Sequence, residues 1–431
     1  MTENIPNARR RAVNILNQVL GKNQLLEEIL SENLKGLDNR DRAFARAMAS
    51  TCLRHLGIID ALIDKMLDRP LPKAAENIRN VIRIGITQIL FLDIPSHAAV
   101  HDTVELIPAN SKFKGLVNAL LRRTDRQGKK LLDKMNRARR NTPDWLWDSW
   151  ADFYGKDVAE KIALAHMIEA PLDISVKEDP EFWAKALDAK ILPTGHLRRA
   201  AGGAITAFEG FTDGKWWIQD FSASLPAKLF GPLEGKKVLD LCAAPGGKTA
   251  QLAVMGANVT ALDRSKARLG RLSENMERLQ LDVTIKVADA TGFLPAEPFD
   301  AILLDAPCSS TGTIRRHPDV THLKTAEDVE KLSQLQARLL DAAVHQLKSG
   351  GTLVYSTCSL QPEEGEEQIR NFLARHPQMS RKPITADDVG GLDEIINSEG
   401  DLRCLPHHLN GTDKDALGGM DGFFAARLIK N

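Results

Sequence analysis

The stretch Asp240-Leu241-Cys242-Ala243-Ala244-Pro245-Gly246-Gly247-Lys248-Thr249 constrains this chain more than any other. Lys237-Val238-Leu239 before it is short, apolar and β-branched, and reads as a buried strand. Pro245-Gly246-Gly247 forces a tight turn, and two residues without Cβ let backbone approach a ligand. Lys248–Met255 reads as a helix, so the turn sits at a helix N-terminus. Strand, glycine turn and helix in that order are where a doubly wound α/β sheet keeps a nucleotide pocket.

Two cofactor readings compete for this turn. Gly247-Lys248-Thr249 could close a P-loop, with Asp305 after Ala301–Leu304 as its metal-holding residue, but the opening glycine of that loop falls on Cys242. An adenosyl cofactor needs an acidic residue ending the next strand, to accept from the ribose hydroxyls. Asn258–Leu262 is such a strand and Asp263 ends it, 23 residues after Asp240. Ser265–Leu279 then reads as a helix and Val283–Val287 as a strand ending at Asp289, placed to meet an adenine amino group. Strand Phe299–Leu304 leads into Asp305-Ala306-Pro307-Cys308. A helix from Ala326 to Leu347 is expected to stop at Ser349-Gly350-Gly351 as a glycine cap, followed by strand Thr352–Ser356 and Thr357-Cys358-Ser359. Helix Glu364–Arg375 and a last strand, Phe423–Ile429, complete an α/β domain over residues 236–431.

The rest of the chain divides into two further regions. Residues 5–138 carry apolar residues at helical spacing, with Ala74–Phe91 as the central helix and Phe113–Arg123 after it, so residues 1–140 read as an all-helical domain. This part holds 25 Lys and Arg against 15 Asp and Glu, whereas the remainder holds 32 against 42. Arg122–Arg140 alone has nine basic residues and two Asp. That asymmetry in a neutral chain points to nucleic acid at the N-terminal half. Residues 141–235 contain all six tryptophans, read mainly as aromatic packing, and the runs Leu172–Val176, Ala204–Phe208 and Lys215–Gln219 suggest a small α+β unit. The five cysteines form no Cys-x-x-Cys pair, so no metal site is expected. No leader or membrane span is legible, and a cytoplasmic monomer is the expectation.

Cys308 and Cys358 each follow an apolar strand, and the C-terminal ends of such strands line the ligand crevice. A thiol beside a methyl donor suits methylation of a pyrimidine at carbon 5. Thiolate addition at carbon 6 makes carbon 5 nucleophilic, and a carboxyl on ring nitrogen 3, here Asp305, stabilises the adduct. The residues alone do not say which cysteine attacks.

The motifs Asp240–Thr249, Asp305-Ala306-Pro307-Cys308 and Thr357-Cys358-Ser359 resemble those of RNA 5-methylcytosine methyltransferases. His97–Leu106 and Gly115–Arg122 are similar to a NusB-like RNA-binding domain, and that fusion resembles the bacterial RsmB (Sun/Fmu) type, which modifies small-subunit (16S) ribosomal RNA. Arg315-Arg316-His317-Pro318-Asp319 and Asp421-Gly422-Phe423-Phe424 also match, and the resemblance spans essentially the whole chain. It implies Cys358 as nucleophile, Cys308 in product release, and Lys248 near the reacting base. It implies S-adenosyl-L-methionine (SAM) held by Cys242, Ala243, Ala244, Pro245, Gly246, Gly247, Lys248, Asp263, Asp289 and Asp305, and RNA contacts from Arg315 and Arg316. Ile174-Ser175-Val176-Lys177 departs from the usual Leu-Arg-x-Asn-like strand, which leaves Lys177 to replace the arginine, and residues 380–418 carry no readable motif. The alternatives are a transfer-RNA methyltransferase of the same superfamily and a non-catalytic RNA-binding or antitermination factor.

Overall fold

The structure, a computed structural model, describes residues 7–409 and 417–431, so residues 5–6 of the expected helical stretch and 410–416 of the motif-poor stretch lie outside it. The chain forms two compact units, Met1–Ile168 with Ile314–Lys324, and Glu169–Thr313 with Thr325–Asn431.

The first unit is helical. Ala12, Ile15, Leu16 and Val19 of helix Ala8–Lys22 pack with Met48, Ala49 and Cys52 of helix Asn39–Arg54, all fully buried. Helix Glu76–Phe91 runs through this core. Its one charged core residue, Arg83, is tolerated because Asp60 at 2.8 Å, Glu76 at 2.6 Å and Asn80 at 2.6 Å take its N–H groups. Helix Lys114–Leu132 extends well beyond the predicted end at Arg123. Val117, Leu120, Leu121, Thr124, Gly128 and Leu132 keep a buried face at helical spacing, while Arg122, Arg126, Lys129 and Lys130 stay exposed. The first part of the basic run, to Lys130, is therefore the wet side of an amphipathic helix, and residues 134–140 follow its end.

The second unit holds two sheets. Strands β1 (Leu172–Val176), β2 (Lys190–Ile191), β3 (Leu197–Arg199) and β4 (Trp216–Ile218) form a small antiparallel sheet in the order β2-β3-β1-β4. Trp183 and Trp216 fill its core with Ile174 and Leu197, so these tryptophans are packing residues. The predicted strand Ala204–Phe208 is instead a 3-10 turn at Ile205–Ala207. Gly202 and Gly203 sit at positive φ and the Phe208 ring folds back onto Gly203, so the segment turns where its composition suggested extension.

The larger sheet contains β5 (Lys237–Leu241), β6 (Asn258–Asp263), β7 (Thr284–Val287), β8 (Phe299–Asp305), β9 (Leu347–Thr357), β10 (Met379–Arg381), β11 (Leu402–Cys404) and β12 (Phe423–Lys430). The order is β10-β12-β9-β8-β5-β6-β7, with β11 on β12. β5 through β9 are parallel, and β12 inserts antiparallel beside β9. Leu239, Leu241, Ile302, Leu304, Leu353 and Tyr355 are buried on one face, and Val238, Ala301, Leu303 and Val354 on the other, as a sheet covered by helices on both sides requires. The strand order reverses between β5 and β8, which puts the crevice at their C-terminal tips. The predicted glycine cap is a correction: the helix Ala326–Gln346 gives way directly to β9, and Ser349-Gly350-Gly351 is a bulge within it, Gly350 at φ +77°. The motif-poor stretch supplies β10 and β11.

Candidate active site

The glycine turn is held by its own backbone. Ala243 N–H donates to Leu262 O at 3.1 Å and Gly246 N–H to Ala243 O at 2.9 Å. Gly246, at φ +104°, precedes helix Gly247–Val254; that φ favours glycine, and a Cβ there would also crowd Leu272 Cγ at 3.0 Å. Cys242 sits at φ +61°, unusual for a residue with a side chain, and burial pushes its thiol up to about 12. It serves as packing, not as a reactive thiol. Asn275 Nδ2 at 3.1 Å and the Arg268 guanidinium satisfy the Pro245 and Ala244 carbonyls.

Three acidic residues approach this turn differently. Asp240 is fully buried; Thr249 Oγ1 donates to its Oδ2 at 2.6 Å, Oδ1 has no hydrogen-bond partner, and burial pushes the carboxyl up to about 7. The Thr249 hydroxyl is thus engaged inside the fold, where a P-loop would turn it to a metal. Asp263, 3% exposed at the tip of β6, accepts from Ser265 N–H at 2.9 Å. Asp289 lies two residues past β7, exposed, and its Oδ1 accepts from the Thr291 hydroxyl at 2.7 Å and amide at 2.9 Å, which together hold its carboxyl below the usual range.

The tips of β8 and β9 meet beside the turn. Lys248 Nζ pairs with Asp305 Oδ2 at 2.7 Å and lies 5.0 Å from the centre of the Phe423 ring. Ser356 Oγ donates to Asp305 Oδ1 at 3.0 Å. Cys308 Sγ and Cys358 Sγ are 3.4 Å apart, and both residues keep part of their surface open. The hydrogen bond between the sulfurs acts in opposite directions: it raises the Cys308 thiol, with burial adding, and lowers Cys358, against burial and the Asp305 charge. Ser310 and Lys248 lower Cys358 further. Gly312 N–H donates to Cys358 O at 3.0 Å and its carbonyl accepts from Gly422 N–H at 2.8 Å. A Cβ on Gly312 would meet Gly422 O at 1.9 Å, so the Asp421–Phe424 motif exists to back this loop closely.

The predicted catalytic group Lys248, Asp305, Cys308 and Cys358 is therefore one cluster, next to the turn Cys242–Gly247 and Asp263. One expected RNA contact is corrected. Arg315 is 2% exposed, and its carbonyl accepts from Arg54 Nη2 at 2.8 Å. Its segment, Ile314–Lys324, belongs to the helical unit, where Asp319 Oδ2 accepts from Leu26 N–H at 2.9 Å and His322 meets Leu53 O at 2.9 Å. Lys177 directs its ammonium at the Leu279 carbonyl. Glu364 and Arg403, which sequence reasoning passed over, hold the Cys358 loop. The available signal was a serine after each cysteine and a Pro-Glu-Glu at the next turn.

The residues fit a SAM molecule: a turn that favours glycine, a buried strand-end carboxylate in Asp263 and an unpaired oxygen on Asp240 offer acceptors for ribose hydroxyls and an amine. This sheet order and cleft define a SAM-dependent methyltransferase. The description "16S rRNA methyltransferase RsmB/F" matches residues 227–429 and "NusB family" residues 6–126. "Ribosomal RNA small subunit methyltransferase B" of Cronobacter sakazakii is 35% identical over 446 residues, covering 98% of this chain and 99% of that protein. The protein of the same name from Vibrio vulnificus is 35% identical over 445 residues, with the same coverage of both. The solved structure of PH0851 shares the fold, with a TM-score of 0.74 at 22% identity over 99% of each chain. The chain belongs to the RsmB/F family of 16S rRNA methyltransferases. That membership removes the P-loop alternative. Among the described residues no helix is long and apolar enough to cross a membrane, and no cluster suits a metal.

Proposed function

We propose that the chain methylates carbon 5 of a cytosine in 16S ribosomal RNA, in the cytoplasm, through a covalent adduct with Cys358. The 3.4 Å approach of the two sulfurs at the strand tips is the observation that carries this reading, and the lowering of the Cys358 thiol agrees with it. Lys248 and Asp305 support it, because their 2.7 Å pair stands beside that sulfur and offers a carboxyl to ring nitrogen 3. SAM supplies an electrophilic methyl group.

The Cys358 thiolate adds to carbon 6 of the cytosine, forming a C–S bond and moving electron density to carbon 5. Asp305, protonated as the cytosine enters, gives its proton to nitrogen 3, where the negative charge would develop, and Lys248 steadies the carboxylate that results. Carbon 5 takes the methyl group as its bond to the sulfonium sulfur breaks, leaving the neutral thioether S-adenosyl-L-homocysteine. A base then removes the carbon-5 proton, the C–S bond breaks and Cys358 leaves as a thiolate, with the Cys308 thiol hydrogen-bonded to the departing sulfur. The base must leave its stack to reach the sulfurs, so an unpaired or flipped cytosine is the substrate. The exposed cations of helix Lys114–Leu132 bind phosphates, and binding weakens with salt.

The test uses 16S RNA carrying tritium at carbon 5 of cytosine. Wild-type protein with SAM releases tritium in step with methyl incorporation. Methylation without tritium release, or full activity in Cys358→Ala, would overturn the proposal.

A further inference from the structure

Cys308 and Cys358 are the same residue type at the ends of adjacent parallel strands, and each is followed by a serine. Something must make one sulfur the donor and the other the acceptor. The two loops converge on Glu364, which is fully buried. Its Oε1 accepts from Ser309 N–H at 2.9 Å and Gln336 Nε2 at 3.0 Å. Its Oε2 accepts from the hydroxyls of Ser309 and Ser359, each at 2.5 Å. Its backbone carbonyl accepts from Tyr355 Oη at 2.9 Å and Thr357 Oγ1 at 3.2 Å, so it also grips the end of β9. One residue thus ties the position after Cys308 to the position after Cys358 and to the strand that carries Cys358.

We propose that Glu364 is a positioning residue for the cysteine pair: its carboxylate clamps Ser309 and Ser359, and so fixes the Cys308 thiol as hydrogen-bond donor to the Cys358 sulfur. The inference rests on Cys358 being the nucleophile. The surrounding charges agree with it. Cys308 faces Glu364, whose negative charge disfavours a second thiolate there, and Tyr355 lies on the same side. Cys358 faces Lys248, which favours a thiolate, and Asp305, which opposes one. Burial pushes the Glu364 carboxyl up, and the Ser309, Ser359 and Gln336 donors pull it back. Arg403 on β11 is a second brace: it donates to Ser359 O at 2.6 Å while its guanidinium is held by Glu366.

The experiment reads thiol chemistry and needs no RNA. Wild type, Glu364→Gln, Cys308→Ala and the double variant are alkylated with iodoacetamide from pH 5 to 10, and each cysteine is followed by peptide mass spectrometry beside a thermal melt. Wild type labels Cys358 well ahead of Cys308. Glu364→Gln lowers the Cys358-to-Cys308 labelling ratio on the order of tenfold and moves the Cys358 profile to higher pH. In the Cys308→Ala background the same substitution changes Cys358 labelling by less than about twofold, because the pathway through Cys308 is gone. A folded Glu364→Gln with an unchanged ratio overturns the proposal, as does a full-sized shift without Cys308. Should Glu364→Gln not fold, Ser309→Ala, which keeps the carboxylate and its amide bond, decides in the same way. A lowered ratio then supports the clamp and an unchanged one overturns it. Normal Cys358 selectivity without RNA methylation would defeat the proposed function and leave this inference standing.

Discussion

The tips of β8 and β9 are nearly identical in sequence logic and opposite in chemistry. Each is an apolar strand ending in a cysteine and then a serine, and the sulfurs lie 3.4 Å apart. Around Cys308 the hydrogen bond to Cys358, burial and the Glu364 charge all raise the thiol. Around Cys358 the Cys308 hydrogen bond, Ser310 and Lys248 lower it against burial and Asp305. The residue type fixes what either cysteine could do; the surrounding burial, hydrogen bonds and nearest charge push the two thiols in opposite directions.

The comparison breaks most sharply when each sulfur is removed in turn. Cys358→Ala is expected to lose methyl transfer by on the order of 10³-fold or more and to form no adduct, since the proposed nucleophile is gone. Cys308→Ala should still form the C–S bond and then stall, so a protein–RNA band persists on a denaturing gel. Equal losses without any trapped adduct would mean the two tips are not functionally distinct.

Asp305→Asn sharpens it further, because its two effects have opposite signs. The rate should fall by about 10²-fold, as ring nitrogen 3 loses its carboxyl partner. Yet the charge that opposes the Cys358 thiolate is also removed, so iodoacetamide should react with Cys358 faster at a given pH. Slower alkylation alongside slower methylation would instead mark Asp305 as a structural support of the thiol.

Activity against pH carries the asymmetry at a smaller scale. The reactive form of Cys358 is the thiolate, so methyl transfer falls as pH drops through its lowered value and the thiol protonates. Without the Cys308 donor that value moves up. Adduct formation by Cys308→Ala should therefore be about tenfold slower than wild type near pH 6 and converge with it at high pH. Parallel profiles would show that the sulfur–sulfur hydrogen bond does not set the thiolate.

Much of this was legible in the sequence where local pattern and chemistry coincide. Asp240–Thr249 announced strand, turn and helix, Asp263 the end of the next strand, and the two cysteine motifs the ends of two more. Legibility failed where tertiary contact overrode local signal. Gly350-Gly351 has the composition of a helix cap, but strand pairing with β8 claims it as a bulge. Ala204–Phe208 reads as extended until the Phe208 ring closes on Gly203. Arg315 follows the Pro-Cys motif in a polar run, yet it folds into the helical unit, which no pattern at that distance encodes. Glu364 and Arg403 have no periodicity to betray them; their role exists only once two loops and β11 converge.

The smallest expected effect concerns the one side-chain bond that joins the two tips through the carboxyl. Ser356 on β9 donates to Asp305 Oδ1 on β8 at 3.0 Å, while Lys248 takes Oδ2. Ser356→Ala removes one hydrogen bond to a charged acceptor, and about 1 kcal/mol of orientation is at stake. Methyl transfer should slow by roughly three- to tenfold, since Lys248 still restrains the other oxygen. Alkylation of Cys358 should change little, because Asp305 keeps its charge and Cys308 keeps its donor bond. A loss as large as that of Asp305→Asn would mean that Ser356, and not Lys248, sets the carboxyl's direction, and that β9 supplies the aim for a group carried by β8.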